Sequence, residues 1–216
     1  MFVGHYAAAF ALKRWEPSAS LGLLFLGVQL VDIAFFPLVL LGVERFDLVP
    51  HATASTHFEL VYMPWTHGLA ASFVWGLGAF GLAWAITRRP RLSAAVGLAV
   101  LSHWFLDLLV HTPDLPLLGD DSTKLGLGVW RSAGATLALE AGLLVGAVGL
   151  YQRGARPRAG LLVFVGALLL SQVAMLFGPP PPSRLALCLS ALAAFAIFAG
   201  FAARLDRLPP AKGAAA

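Results

Sequence analysis

One cysteine, Cys188, is all that 216 residues contain. A lone thiol excludes an intramolecular disulfide and any multi-cysteine metal centre. Charge is scarce too. Asp, Glu, Lys and Arg make up 12% of the chain, about half the ~25% of a soluble domain. The apolar stretch 2–12 has no basic residue ahead of it; Lys13 and Arg14 come after. A secretory signal peptide carries its charge first, so none is expected here. No long-period repeat is visible. Gly126 and Gly128 flank Leu127 just before Trp130, but they lack the spacing and the lysine of a phosphate loop and predict a turn instead.

What the chain has is apolar residues, 59% of the total, with a mean hydropathy of +0.80. Runs of about 20 apolar residues mark bilayer spans. They predict an all-α polytopic membrane protein with six transmembrane helices, at 19–43, 61–86, 92–111, 129–151, 159–177 and 184–203. The segment 2–12 is too short to span. It is either an interfacial helix or a re-entrant one. Basic clusters at 88–91 and 153–158 and the prolines at 179–182 separate neighbouring spans. One bundle covers 1–216: polar-site helices to residue 151, then from 152 two apolar scaffold helices and a tail.

The net charge of +4 does not indicate nucleic acid, because the basic residues sit in short loops and act as topology signals. Lys13, Arg14, Arg88, Arg89, Arg91, Arg153, Arg156, Arg158, Arg204, Arg207 and Lys212 fall on one side; Arg45, Lys124, Arg131 and Arg184 fall on the other. Eleven against four puts both termini in the cytoplasm. Loops 44–60 and 112–128 then face outward.

The polar residues at membrane depth are few. His103, Asp107 and His111 follow one another at four-residue steps. Each step turns a helix by only about 40°, so the three share a face. Burying such groups in hydrocarbon costs several kcal/mol each unless something binds them. Gln29 and Asp32 share a face of the first span. Thr66 and His67 lie at the outer end of the second. Ser132, Thr136 and Glu140 share a face of the fourth. Spans five and six hold no interior ionisable residue and are expected to be scaffold or an oligomer face. A re-entrant first helix would lift His5 toward the same cluster. Gly142 and Gly146 form a small-xxx-small pair, a weak packing signal.

Three strings stand out: YMPWTHGL at 62–69, SHWFLDLLVHTPDLPL at 102–117 and GLGVW at 126–130. Together they resemble a family of small bacterial inner-membrane proteins, described either as permeases or as membrane-bound metal-dependent hydrolases. The resemblance covers about residues 1–150. It implies a polar site at Asp32, His67, His103, Asp107, His111 and Asp114, with Glu59 and Glu140 as companions. Gly68 departs from the pattern, which has serine there.

The leading expectation is an intramembrane hydrolase acting on a lipid or lipid-linked ester or phosphoester in the outer half of the bilayer. Its metal, zinc foremost and manganese, iron or magnesium otherwise, would be held by His67, His103, Asp107 and Asp32, with His5 if it reaches. Glu140 or Glu59 would be the general base. His111 is two turns from His103, about 12 Å along the axis. It is therefore expected either on a second metal or, the favoured reading, at the mouth as a catalytic or substrate-contacting residue with Asp114 and Glu59, where Tyr62 and Trp130 also lie, rather than on the same ion. A cation or proton transporter using the same groups is the alternative. A third reading makes the cluster a mere fastener between helices, but such hydrogen bonds are worth only about 0.6 kcal/mol each. Expected partners are the bilayer, a lipid substrate and a second copy meeting the last two helices.

Overall fold

The computed structural model describes residues 1–153 and 159–207. Arg156, Arg158 and Lys212, counted above as topology signals, lie outside the described residues. The elements in chain order are helices α1 (His5–Trp15), α2 (Leu21–Val28) and α3 (Leu30–Leu40), strands β1 (Arg45–Leu48) and β2 (Phe58–Tyr62), and helices α4 (Leu69–Thr87) and α5 (Pro90–Val110). Strands β3 (Leu115–Pro116) and β4 (Lys124–Leu125), a 3-10 turn (Val129–Arg131) and helices α6 (Ala133–Tyr151), α7 (Ala159–Phe177) and α8 (Arg184–Arg207) follow. The protein is an all-α membrane protein with two small antiparallel hairpins on its loops. Among the described residues α4 to α8 are each long and apolar enough to cross a bilayer. The pair α2–α3 meets the same test together, but it is bent by 48°.

Helix α1 is a core element. Val3, Ala9 and Phe10 have no exposed surface. Tyr6 stacks on Phe25 at 4.3 Å, and Phe25 also meets Phe10 and Phe164 at 5.5 and 5.7 Å. Most of the helix is thus packed inside the bundle, with Arg14 and Trp15 left exposed at its end. Lys13 ends the helix by donating to the carbonyls of Pro17 and Ala19 and to Asp206 at the end of α8. Arg91 reaches Glu16 and the Trp15 carbonyl, and Arg89 reaches Ser18. The Ser18 hydroxyl and amide hold the Glu16 carboxyl below its usual range. Lys13, Arg89 and Arg91, three of the charges predicted to share one side, are therefore together at one end of the bundle. Met1, by contrast, lies buried within the bundle and not at that surface.

Two boundaries and one packing signal differ from the sequence expectation. The second span starts late. β2 runs to Tyr62, Pro64 lacks an amide proton for a helix, and α4 begins only after Gly68. The first span breaks at Gln29. Gly142 and Gly146 are exposed and a side chain there would meet nothing, so they pack no helix of this chain. The close approach lies elsewhere. A Cβ on Gly97 would sit 2.9 Å from the Gly76 carbonyl, which draws α4 and α5 into a tight antiparallel pair. Arg88 in the left-handed region (φ 55°) and Pro90 at the first turn of α5 make the short connection.

Candidate metal centre

Four imidazoles converge on two carboxylates, and each is aimed by a local feature of the backbone. The break at Gln29 is the first. In a continuous helix the Val28 carbonyl would accept from residue 32. Freed by the break, it accepts from His103 Nδ1 at 2.7 Å. The same break puts Asp32 in the first turn of α3, where the helix dipole favours an anion. Discontinuous helices at membrane depth are tolerated where they line a site.

His67 sits in the turn between Pro64 and α4, not on a helix as expected. Its Nδ1 is 2.8 Å from Thr66 Oγ1, and Thr66 Oγ1 donates to Glu44 Oε2 at 2.7 Å. A hydroxyl has one proton, here given to Glu44, so Nδ1 of His67 must be the donor to Thr66. Glu44 also accepts from the amides of Trp65 and Thr66. Burial pushes its carboxyl upward from the ordinary value, and the Thr66 hydroxyl pulls it back. A Cβ on Gly68 would lie 2.7 Å from the Pro64 carbonyl. The turn that delivers His67 is thus too tight for a side chain at position 68.

His111 caps α5 with extended ψ (145°), so its ring folds back on the helix. Nδ1 donates to Asp114 Oδ1 at 2.8 Å, and Trp130 lies against the ring at 4.1 Å. His111 is 2% exposed, enclosed by its neighbours and not open to water as expected. The next turn supports this placement. Gly126, where a Cβ would lie 2.5 Å from the His111 carbonyl, and Gly128 at φ +76° wrap the chain around it.

With Nδ1 of three histidines committed, their Nε2 atoms face carboxylate oxygens. His103 Nε2 is 3.1 Å from Asp107 Oδ2 and 3.7 Å from Asp32 Oδ1. His67 Nε2 is 3.2 Å from Asp32 Oδ1 and 3.9 Å from Asp107 Oδ2. His111 Nε2 is 3.5 Å from Asp107 Oδ2. His5 stacks on His103 at 3.9 Å with 7° between the rings, and its Nε2 is 3.1 Å from Asp107 Oδ1. The α-amino nitrogen of Met1 is 2.5 Å from the same oxygen.

A neutral imidazole whose Nδ1 holds the proton presents a lone pair at Nε2. Lone pairs facing carboxylates repel unless a cation lies between. Protonating three or four clustered imidazoles in an apolar bundle replaces one repulsion by another. Beside the Met1 ammonium on Asp107, a metal ion relieves this for the rings and oxygens that reach it. Metal–ligand bonds of about 2.0–2.1 Å put tetrahedral neighbours about 3.3 Å apart, close to the separations here. Two donor sets meet this spacing among the described residues: His5, His103 and Asp107, and Asp32, His67 and His103. His5 Nδ1 and Nε2 and His103 Nε2 have no hydrogen-bond partner although buried. The buried His and Asp groups can hold a metal ion. His103 belongs to both sets, but its single Nε2 lone pair serves one ion.

Other expected residues are placed differently. Glu59 is exposed on β2, opposite Asp47, and does not reach the cluster. Tyr62 is exposed at the end of the same strand. Glu140 is fully buried, but its Oε2 accepts from the amides of Phe2 and Gly4 at 2.8 and 3.0 Å. It holds the start of α1, and hence His5, in the bundle. Sequence reasoning passed over Glu44, which lies in a loop, and Gln172, whose Oε1 accepts from the Val3 amide. A buried glutamine in an otherwise apolar span was the available signal.

Beside the cluster lies a cavity of about 530 Å³. Asp32, His67, Asp107 and His111 form one side. Residues of α7 and α8 form the other. The last two helices are therefore a wall of the site and not only a scaffold outside it. No protein-family model, curated protein or solved structure shows a significant match to this chain.

Proposed function

We propose that the protein is an intramembrane metal-dependent hydrolase of the bacterial inner membrane, acting on a lipid or lipid-linked ester or phosphoester. The observation that carries this is the convergence of imidazole Nε2 atoms, each anchored through Nδ1 or stacked, on Asp107 and Asp32 beside the cavity. Zinc suits a site of nitrogen and carboxylate oxygen donors without sulfur. Bound there, it would lower the pKa of a coordinated water and polarise the scissile group. The protein's own contribution is orientation. Val28, Thr66 with Glu44, and Asp114 fix the ring planes, and such supporting bonds are worth about 10–100-fold in metal affinity or activity. Glu59 is too far out to act as base. Glu140 has one oxygen engaged by α1, while Asp32 and Asp107 face the cavity and are placed to take a proton from an attacking water.

The transporter alternative needs a path to both faces. Beneath the cluster, Tyr6, Phe10, Phe25 and Phe164 pack against one another, and the cavity lies on the hairpin side. This one-sided access supports an enzyme. The deciding experiment is elemental analysis of detergent-purified protein together with hydrolysis of lipid esters and phosphoesters before and after chelation. Bound metal and chelator-sensitive hydrolysis are expected. Activity that chelator leaves intact, or Asp107-dependent ion flux without hydrolysis, would overturn the proposal.

A further inference from the structure

The cavity is asymmetric in a way that the metal cluster does not explain. Its far wall includes one face of α8: Leu187, Ser190, Ala191, Ala194, Phe195 and Phe198. Their spacing of three and four residues is that of a single helix face. The opposite face of α8, with Leu189 and Ile197, is exposed to lipid. Small residues thus occupy the middle of the cavity face, and aromatic rings close its inner end. Phe198 lies 6.1–6.2 Å from Phe2, Tyr6 and Phe164, and Phe195 lies 6.2 Å from Phe36. From α7, Ala174 and Met175 continue the wall.

A small, water-soluble substrate would leave this wall without a partner. Among the described residues lining the cavity none is Lys or Arg, and the Met1 α-ammonium is already paired with Asp107, so a multiply charged solute would find no free counterion beyond the centre itself. A polar group at one side and an apolar chain along the other match both walls. We propose that α8 seats the apolar chain of an amphiphile drawn from the bilayer, with its polar head at Asp107 and the histidines. Ala191 and Ala194 set the width available to the chain, and Phe198 sets its length. The proposal rests on the hydrolase reading for what happens to the head, but seating the chain requires no turnover.

The probe is a palmitoyl glycerophosphate carrying a diazirine near the chain end, photolysed with the full-length protein in nanodiscs and mapped by peptide mass spectrometry. Label on residues 191–198 and on Ala174, displaced by unlabelled palmitoyl glycerophosphate, is expected. Ala194→Trp fills the channel and should cut that label about tenfold, the scale of an overpacked site, with metal content unchanged. Phe198→Ala should shift preference from palmitoyl toward arachidoyl probes. Label confined to Leu189 and Ile197, or cavity label indifferent to Ala194→Trp, overturns the proposal. Should Ala194→Trp not fold, an unchanged chain preference in Phe198→Ala overturns it by itself. The two readings separate cleanly. Cavity labelling without hydrolysis removes the hydrolase and keeps the chain site. Hydrolysis of palmitoyl esters undiminished by Ala194→Trp does the reverse.

Discussion

At the residue scale the centre depends on which ring nitrogen carries the proton. His103 is common to both donor sets, so His103→Ala should abolish metal binding, as measured by elemental analysis. His111 is in neither set, although it lies 3.5 Å from Asp107. His111→Ala should retain the metal and lose hydrolysis; loss of a full metal equivalent with another left in place would show a dinuclear centre. Thr66→Val keeps the shape of the turn and removes the hydroxyl between His67 and Glu44. Metal affinity in a chelator-competition titration should fall about 10–100-fold, with the melting temperature of the metal-free protein within a few degrees of the parent. An unchanged affinity would mean that His67 is not a ligand.

Two features at the element scale position the site without touching an ion. The first is Glu140, which accepts two amide protons at the start of α1. Hydrogen bonds to a charged group are worth about 1.5–3 kcal/mol each. Glu140→Ala should therefore lower stability in detergent by roughly that amount per bond and release residues 1–5 to hydrogen exchange. Were Glu140 the general base instead, Glu140→Gln would abolish turnover while leaving α1 protected. The second is the α4–α5 contact. Gly97→Ala places a methyl 2.9 Å from the Gly76 carbonyl, a backbone atom that cannot rotate away. A loss of about 1–3 kcal/mol is expected, read by thermal unfolding in detergent.

For the whole molecule, metal and fold are linked. A ligand that binds only the folded state stabilises it by about 2.7 kcal/mol at a concentration 100 times its Kd. Zinc should raise the melting temperature of the parent and not that of His103→Ala, and chelator should reverse the gain. Orientation is open to a similar whole-molecule measurement. Lys13, Arg89, Arg91 and Asp206 share one end, and the β1–β2 hairpin lies at the other, tied to α8 by Arg184 and Asp47. In a Cys188→Ala background, Ala52→Cys should react with an impermeant maleimide in spheroplasts, and Arg88→Cys should react only after lysis.

That the chain carries several membrane-spanning helices was legible because the bilayer demands about 20 apolar residues and punishes charge, a constraint local enough to appear in a single string. The four-residue spacing of His103, Asp107 and His111 was legible for the same reason: a helix has one period. Three things were not. The bend at Gln29 frees the Val28 carbonyl, and the group that takes it up, His103, comes from another helix. The folding back of His111, which brings it near the ion site despite two turns of separation, depends on a cap and on the wrap at Gly126 and Gly128. The burial of α1 depends on Glu140 and Gln172, far away in the chain, taking up its first amides. Composition and periodicity alone determined that this is a helical membrane protein with His, Asp and Glu at depth. Only the tertiary structure decided which of those groups meet, because that choice is made by hydrogen bonds between residues far apart in the chain, such as Val3 and Gln172 at 169 positions, and no local pattern records them.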